Sequence, residues 1–454
     1  MDHRTLLHDV ADMAADWFDE LPHRPVGPQR TSADLEIADR LENGPMPEAQ
    51  VLAELAGQAA PGLTAMGSPR FFGFVIGAAH PAGVAADWLA TTWDQNAGLA
   101  GPTPSVARVE EIAGHWLADL LGIPPTASFA LVTGCQMAHV TCLAAARNRV
   151  LADAGHDVER MGLIGAPRIR VLAGEERHVT VDRALRLLGF GTDGVELVEV
   201  DAHGAMRADA LEAALAIGEP GTPTIVIAQV GNVNTGASDP MREVCAAGKA
   251  AGAWVHVDGA FGLWAAASRS RRGTIAGTEN ADSWATDGHK WLQVPYDCGI
   301  AFVRDREAHR AAMAFTAAYL VQDATGPREP MDWTPEFSRR ARGLAVYAIL
   351  RSLGRDGVAE LVDRLCACAD RFADRLPGAG YEVMSHGLNQ VLVALGSDAA
   401  TDSALAAIQA EGTCWPSGTT WRGRRCIRVS VCSHLTTFDD VDRSVAAMAA
   451  VTRR

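Results

Sequence analysis

Two short apolar runs end in residues that can do chemistry. The first is Trp254-Val-His-Val-Asp258-Gly-Ala-Phe-Gly262, and the second is Asp282-Ser-Trp-Ala-Thr-Asp287-Gly-His289-Lys290-Trp-Leu292. Lysine among apolar residues needs a reason, because burying an ammonium is costly. Desolvation and nearby positive charge favour its neutral form, which attacks an aldehyde carbon as an amine. An aspartate at the carboxyl end of a strand can keep a pyridine nitrogen protonated, so that the ring takes up electrons. Together these are the requirements of a pyridoxal 5′-phosphate (PLP) site, with Lys290 as covalent anchor and Asp258 as partner of the ring nitrogen. Taken alone, Asp258 also admits the reading of a cap on the following helix. Gly259 and Ala260 leave room beneath a planar ring, and His289 is placed to contact phosphate or a substrate carboxylate.

Other segments would have to complete such a site. Thr133-Gly134-Cys135-Gln136 joins a strand to a helix, and its N–H groups, Thr133 hydroxyl and Gln136 amide suit a phosphate cup. A bare turn is the alternative. Ser283 and Asp287 are further candidates near the phosphate, although a carboxylate there repels a dianion unless it accepts bonds from backbone or His289. His178 follows the apolar run 169–173 and offers a flat imidazole to stack on the ring; a helix cap is the plainer role. In Gly231-Asn232-Val-Asn234-Thr-Gly236, one asparagine is expected to reach the cofactor 3′ oxygen or the substrate, and turn formation explains both equally well.

The elements that must hold these residues alternate. Strand-like runs at 129–132, 169–173, 195–200, 224–230, 254–257, 282–287 and 299–303 are separated by helical stretches, which predicts an α/β domain with a largely parallel sheet. An amphipathic helix over 4–22 stops before Pro25-Val-Gly-Pro28 and must dock on its own core or on a partner. Beyond Trp333 come a long helical stretch at 336–375, strands at 389–395 and 426–431, a helix near 402–410 and a last helix from Asp439. The expected division is an N-terminal arm (1–80), a large α/β domain (81–335) and a small α+β domain (336–454).

The chain has 454 residues, a formal charge of −15 and 48% hydrophobic residues, which describes a folded globular chain. Its acidity argues against nucleic acid or an anionic membrane as partner. No apolar stretch reaches transmembrane length without interruption, and the N-terminus lacks the pattern of a signal peptide. The nine cysteines form no Cys-x-x-Cys pair, so no metal is expected and a reducing cytoplasm is the ordinary reading.

These stretches, with Pro69 to Pro81, Pro104-Ser-Val-Ala-Arg-Val-Glu-Glu-Ile, Thr133 to Arg147, His178 to Ala184 and Asp297-Cys298, resemble the group II PLP-dependent amino acid decarboxylases. The resemblance implies the aspartate-aminotransferase-like fold type I, with a mainly parallel seven-stranded sheet and a smaller C-terminal α+β domain. It also implies a homodimer with shared active sites and an exchanged N-terminal segment. It assigns Lys290 to the cofactor aldehyde, Asp258 to the ring nitrogen, His178 to ring stacking and Ala260 to the floor. Tyr319 falls at the position of the family's proton donor to the substrate carbon. Lys290, His178, His289 and Tyr319 are thus expected to carry the reaction, loss of carbon dioxide from an L-amino acid to give the amine.

The chain departs from the aromatic-specific members at Val75 and Gly77, where they are bulkier or hydroxylated. Phe71, Phe72, Phe74, Trp93 and Tyr296 remain to form an aromatic substrate pocket. Aldehyde synthase, carbon–carbon lyase and non-catalytic readings use the same scaffold. An aminotransferase would need an arginine for a carboxylate, for which Arg428 is available.

Overall fold

The computed structural model describes residues 2–315 and 328–453. A two-residue strand, β1 (Phe71–Phe72), comes before the main sheet and belongs to a different one. The main sheet contains β2 (Ser128–Val132), β3 (Arg170–Gly174), β4 (Val195–Val198), β5 (Thr224–Gln229), β6 (Trp254–Asp258), β7 (Ser283–Asp287) and β8 (Gly299–Val303). Their spatial order is β2-β8-β7-β6-β5-β3-β4. β8 runs antiparallel to both its neighbours, and the other pairings are parallel.

β2, β6, β7 and β8 are buried at every position, as strands covered on both faces should be. Alternate residues therefore enter two separate cores. Val255, Val257, Trp284 and Phe302 pack on one face, and Trp254, Ala285, Ala301 and Val303 on the other. The helix Cys135–Asp153 carries the chain from β2 to β3 across the second face, packing on β5 to β8. Its start is thereby brought to the carboxyl ends of β6 and β7.

The smaller sheet has the order β1-β11-β12-β10-β9, with β9 (Glu382–Gly387), β10 (Gln390–Ala394), β11 (Trp415–Trp421) and β12 (Arg424–Ser430). β1 pairs parallel with β11, Phe71 opposite Trp415. Arg70 Nε donates to the Thr413 carbonyl at 2.8 Å, and Arg70 also pairs with Asp440 at 3.3 Å. Residues 70–72, expected in the N-terminal arm, thus pair with the C-terminal unit. None of the helix His3–Glu20 is fully buried, and its Leu7 and Met13 are exposed.

The long helix starts at Gly343, later than expected, and is broken at Gly354 (φ 65°, ψ −178°). The preceding segment is held by ion pairs instead, Arg339 with Glu110 and Arg342 with Asp297, each at 2.7 Å. β9 and β11 had no counterpart in the sequence reading. The mainly parallel seven-stranded sheet and the smaller C-terminal α+β unit are both present.

Candidate active site

A cavity of about 260 Å³ opens at the carboxyl ends of β5, β6 and β7, where a parallel sheet places its ligands. Asp258 and Asp287 end adjacent strands, and Lys290 follows three residues later; all three line the cavity with Gly134, Cys135, Gln136, His178, Ala260 and His289. The structure therefore brings together residues scattered between Gly134 and Lys290, about a third of the chain.

Asp258 is buried, and its Oδ1 accepts the Ala260 N–H at 3.2 Å and faces His139 Nε2 at 3.6 Å. Burial pushes its pKa up, but His139, His178 and Lys290 outweigh burial and leave it below the ordinary carboxylate value. It is an anion, as a protonated ring nitrogen requires.

Lys290 Nζ lies 3.0 Å from Asp287 Oδ2. Burial works to lower the amine's pKa, but the Asp287 and Asp258 carboxylates outweigh it and hold the pKa above its ordinary value. This corrects the expectation of a neutral amine: the neighbouring charge is negative. Asp287 is also satisfied in the way its position demanded. Its Oδ1 accepts the Cys135 N–H at 2.6 Å and faces His289 Nε2 at 3.4 Å.

That contact changes the expected phosphate cup. Gly134 has an extended backbone and no side-chain cap, so the helix Cys135–Asp153 opens its N-terminus to the cavity. Its first N–H, from Cys135, is taken by Asp287, and the next two, from Gln136 and Met137, have no partner among the described residues. The Gln136 side chain accepts from Arg183 at 3.4 Å. Thr133 does not line the cavity.

His178 caps the helix Val179–Leu187, with Nδ1 2.8 Å from the Thr180 hydroxyl. Burial lowers its pKa and that of His289, so both rings are neutral at neutral pH. Both the capping role and the cavity position apply to His178. His289 takes the Cys298 N–H on Nδ1 at 3.2 Å and stacks on Tyr296, with centroids 4.3 Å apart.

Three expected contacts are not made among the described residues of this one chain. Asn232 spends its side chain on the turn, donating to Glu176 and Gln229 and accepting from the N–H groups of Asn234 and Thr235. Ser283 begins β7, at the end remote from Lys290, and bonds to Trp254 and His256. The aromatic pocket does not assemble on the cavity wall of one chain. Phe71 is buried against Trp415 and Phe72 against Phe372, while Phe74 and Trp93 are half-exposed. Of that group only Tyr296 reaches the site, through His289, and Phe261 lines it instead. Tyr319 lies outside the described residues.

Sequence reading missed His139, His256 and Gln293. His256 stands two residues before Asp258 on the same strand face, a signal that was visible. The donor set fits PLP: an amine and a carboxylate on one cavity, a neutral imidazole, small Ala260 and an open helix N-terminus.

The pyridoxal-dependent decarboxylase conserved domain matches residues 30–395. The chain is 30% identical over 413 residues to tyrosine decarboxylase of Oryza sativa subsp. japonica, covering 84% of this chain and 74% of that protein. It is 29% identical over 399 residues to tryptophan decarboxylase 1 of the same organism, covering 83% and 76%. The crystal structure of Oryza sativa TDC with PLP and tryptamine superposes with a TM-score of 0.92 at 24% identity, covering 99% of this chain and 97% of that one. Asp258 and Lys290 at adjacent strand ends, this sheet order and these matches lead to one conclusion: the chain belongs to the pyridoxal-dependent decarboxylase family and is a fold type I, PLP-dependent amino acid decarboxylase.

Proposed function

We propose that the substrate is an aromatic L-amino acid, released as the amine and carbon dioxide. The observation that carries this reading is the His289–Tyr296 stack beside Lys290: His289 and Phe261 line the cavity, and Tyr296 backs His289. The aromatic substrates in the names of the rice relatives support it.

PLP, when bound, accepts the electron pair of the broken Cα–carboxylate bond. Lys290 would hold its aldehyde and Asp258 its ring nitrogen, while His178 and Ala260 would flank the ring. The free N–H groups of Gln136 and Met137 would receive the phosphate. Tyr319 is assigned proton delivery to Cα, from the resemblance alone. His289, neutral like His178, would face the substrate without adding charge.

The proposal includes a homodimer. It is supported by the unburied helix His3–Glu20 and by exposed Trp88, Leu89 and Trp93 on the helix Pro81–Trp93. A cytoplasmic location is also proposed, on the strength of nine free, buried cysteines.

A second reading, an acidic substrate, is favoured by Arg428. This buried arginine of β12 donates to the carbonyl of Val233, a cavity residue, and its Nε has no partner among the described residues. Both readings are tested by incubating the PLP-loaded enzyme with a panel of L-amino acids and measuring carbon dioxide, amine, aldehyde and peroxide together. Carbon dioxide and amine in equal amounts from tryptophan, tyrosine or phenylalanine is the expected result. Turnover confined to glutamate or aspartate would replace it with the Arg428 reading, and aldehyde with peroxide would move the enzyme to the oxidative branch.

A further inference from the structure

Behind Asp258, on the sheet face covered by the helix Cys135–Asp153, buried polar side chains form a continuous line. Trp254 Nε1 donates to Ser283 Oγ at 2.8 Å, and Ser283 Oγ lies 2.9 Å from His256 Nδ1. His256 Nε2 lies 2.9 Å from His139 Nδ1. His139 Nε2 then faces Asp258 Oδ1 at 3.6 Å and Cys135 Sγ at 3.5 Å. Strand periodicity places Trp254, His256 and Asp258 on one face of β6, and Ser283 pairs with His256 in register. His139 lies one helical turn beyond Cys135. His139, His256 and Ser283 are fully buried, where apolar residues would fill the space without needing polar partners.

The carboxylate end of this line fixes its direction. An indole N–H only donates and a carboxylate only accepts. With Nε2–H of neutral His139 turned to the carboxylate, His139 Nδ1 and then His256 Nδ1 are left as acceptors, so Ser283 accepts the Trp254 N–H and donates its own O–H to His256 Nδ1. His256 must then carry its hydrogen on Nε2 and donate to His139 Nδ1. The opposite order would aim a nitrogen lone pair at Asp258. Burial keeps both rings neutral, so one hydrogen apiece is available.

We infer that Trp254, Ser283, His256 and His139 form a one-directional relay that fixes both histidine tautomers and holds Asp258 as the carboxylate that the cofactor ring requires. The four are positioning residues, since none lines the cavity. The inference rests on the reading of Asp258 as partner of the ring nitrogen. Without the His139 N–H, burial shifts Asp258 toward its neutral acid and weakens its hold on a protonated ring.

Two measurements test the relay. In the full-length chain labelled with ¹⁵N-histidine, with and without PLP, long-range NMR spectra report which nitrogen carries hydrogen. Signals are assigned by their loss in His139→Gln and His256→Gln. Both rings neutral with Nε2–H is expected; Nδ1–H or a charged ring at either position overturns the relay. The second measurement is PLP affinity by fluorescence titration. His139→Leu should weaken it about tenfold, the equivalent of one pKa unit of lost stabilisation of the carboxylate. His139→Gln, whose amide reaches the Nε2 position, should recover most of that loss, and His139→Asn, which does not reach, should not. Equal affinities in all three, beside a weakened Asp258→Asn, sink the relay alone. Unchanged affinity in Asp258→Asn sinks the reading of the site beneath it. If the leucine variant fails to fold, the spectra of the unaltered chain still decide.

Discussion

Lys290 Nζ sits 3.0 Å from Asp287 Oδ2, so the amine that must join the cofactor is paired with a carboxylate at the same strand end. The pairing stores the lysine as a partly buried cation. It also means that the amine must lose a proton before it can react. Asp287 is therefore a brake on covalent loading as well as a positioning group.

Asp287→Asn releases that brake. Burial then acts on Lys290 without the opposing charge and lowers its pKa. The pH at half-maximal rate of covalent PLP uptake, trapped with borohydride, should fall by about 1–3 units, the range for removing an adjacent opposite charge. A midpoint that stays or rises would show that Asp287 does not control the amine.

Gln293 ties the lysine turn to the rest of the molecule. It is fully buried at φ 61°, and its Nε2 donates to the carbonyls of Lys290, Trp291 and Cys432 at 2.8–3.1 Å. Its Oε1 accepts the N–H groups of Ala78 and His434. Gln293→Ala should cost about 2–4 kcal/mol, read by urea unfolding, because several buried groups lose partners at once. Gln293→Glu should cost more, since it turns an oxygen toward three carbonyls. A glutamate variant as stable as the parent would refute this account of the turn.

How much of this was legible depends on whether a signal was local. Asp258 at the end of an apolar run, and His289-Lys290 closing the next, could be read from neighbours alone. Ser283 belongs to the same run as Lys290, yet a five-residue strand separates its ends by about 13 Å, at about 3.3 Å per residue. Asn232 looked free because its partners, Glu176 and Gln229, come from elsewhere in the fold or from its own turn. β11 contains Pro416 and Gly418, which disguise it as a loop, and β1 is too short for any pattern. His139 meets His256 only because its helix crosses β6, a fact of topology that spacing does not carry.

His309 gives the stability a defined pH dependence. It is fully buried, with Nε2 2.9 Å from the Trp333 carbonyl and Nδ1 2.8 Å from Ser128 Oγ. Burial and then Arg328 push its pKa down to about 3. The folded value lies below the unfolded value of about 6.5, so its contribution is fully present above that pH and is lost as pH falls toward 3. His309→Gln should make stability fall less steeply between pH 6.5 and 4, by up to about 1.4 kcal/mol per unit. Parallel curves of thermal midpoint against pH for the two proteins would contradict the assignment.

The resemblance marked Gly77 as a departure from the aromatic-specific decarboxylases, which suggested a changed substrate pocket. The structure gives a different reason. A Cβ on Gly77 would stand 2.1 Å from the Lys290 carbonyl oxygen and 2.6 Å from that of His289, and neither can swing aside because both are backbone. Gly77 N–H also donates to the His289 carbonyl at 3.2 Å. The segment after β1 thus presses on the lysine turn where no side chain fits. Gly77→Ala should push the turn away from Asp258, and a displacement of about 1 Å can cost roughly a hundredfold in rate. PLP affinity and kcat should fall together, with the ranking of substrates unchanged. Gly77→Ser should behave the same way or worse. A serine variant with full kcat and an altered substrate ranking would return residue 77 to the substrate pocket.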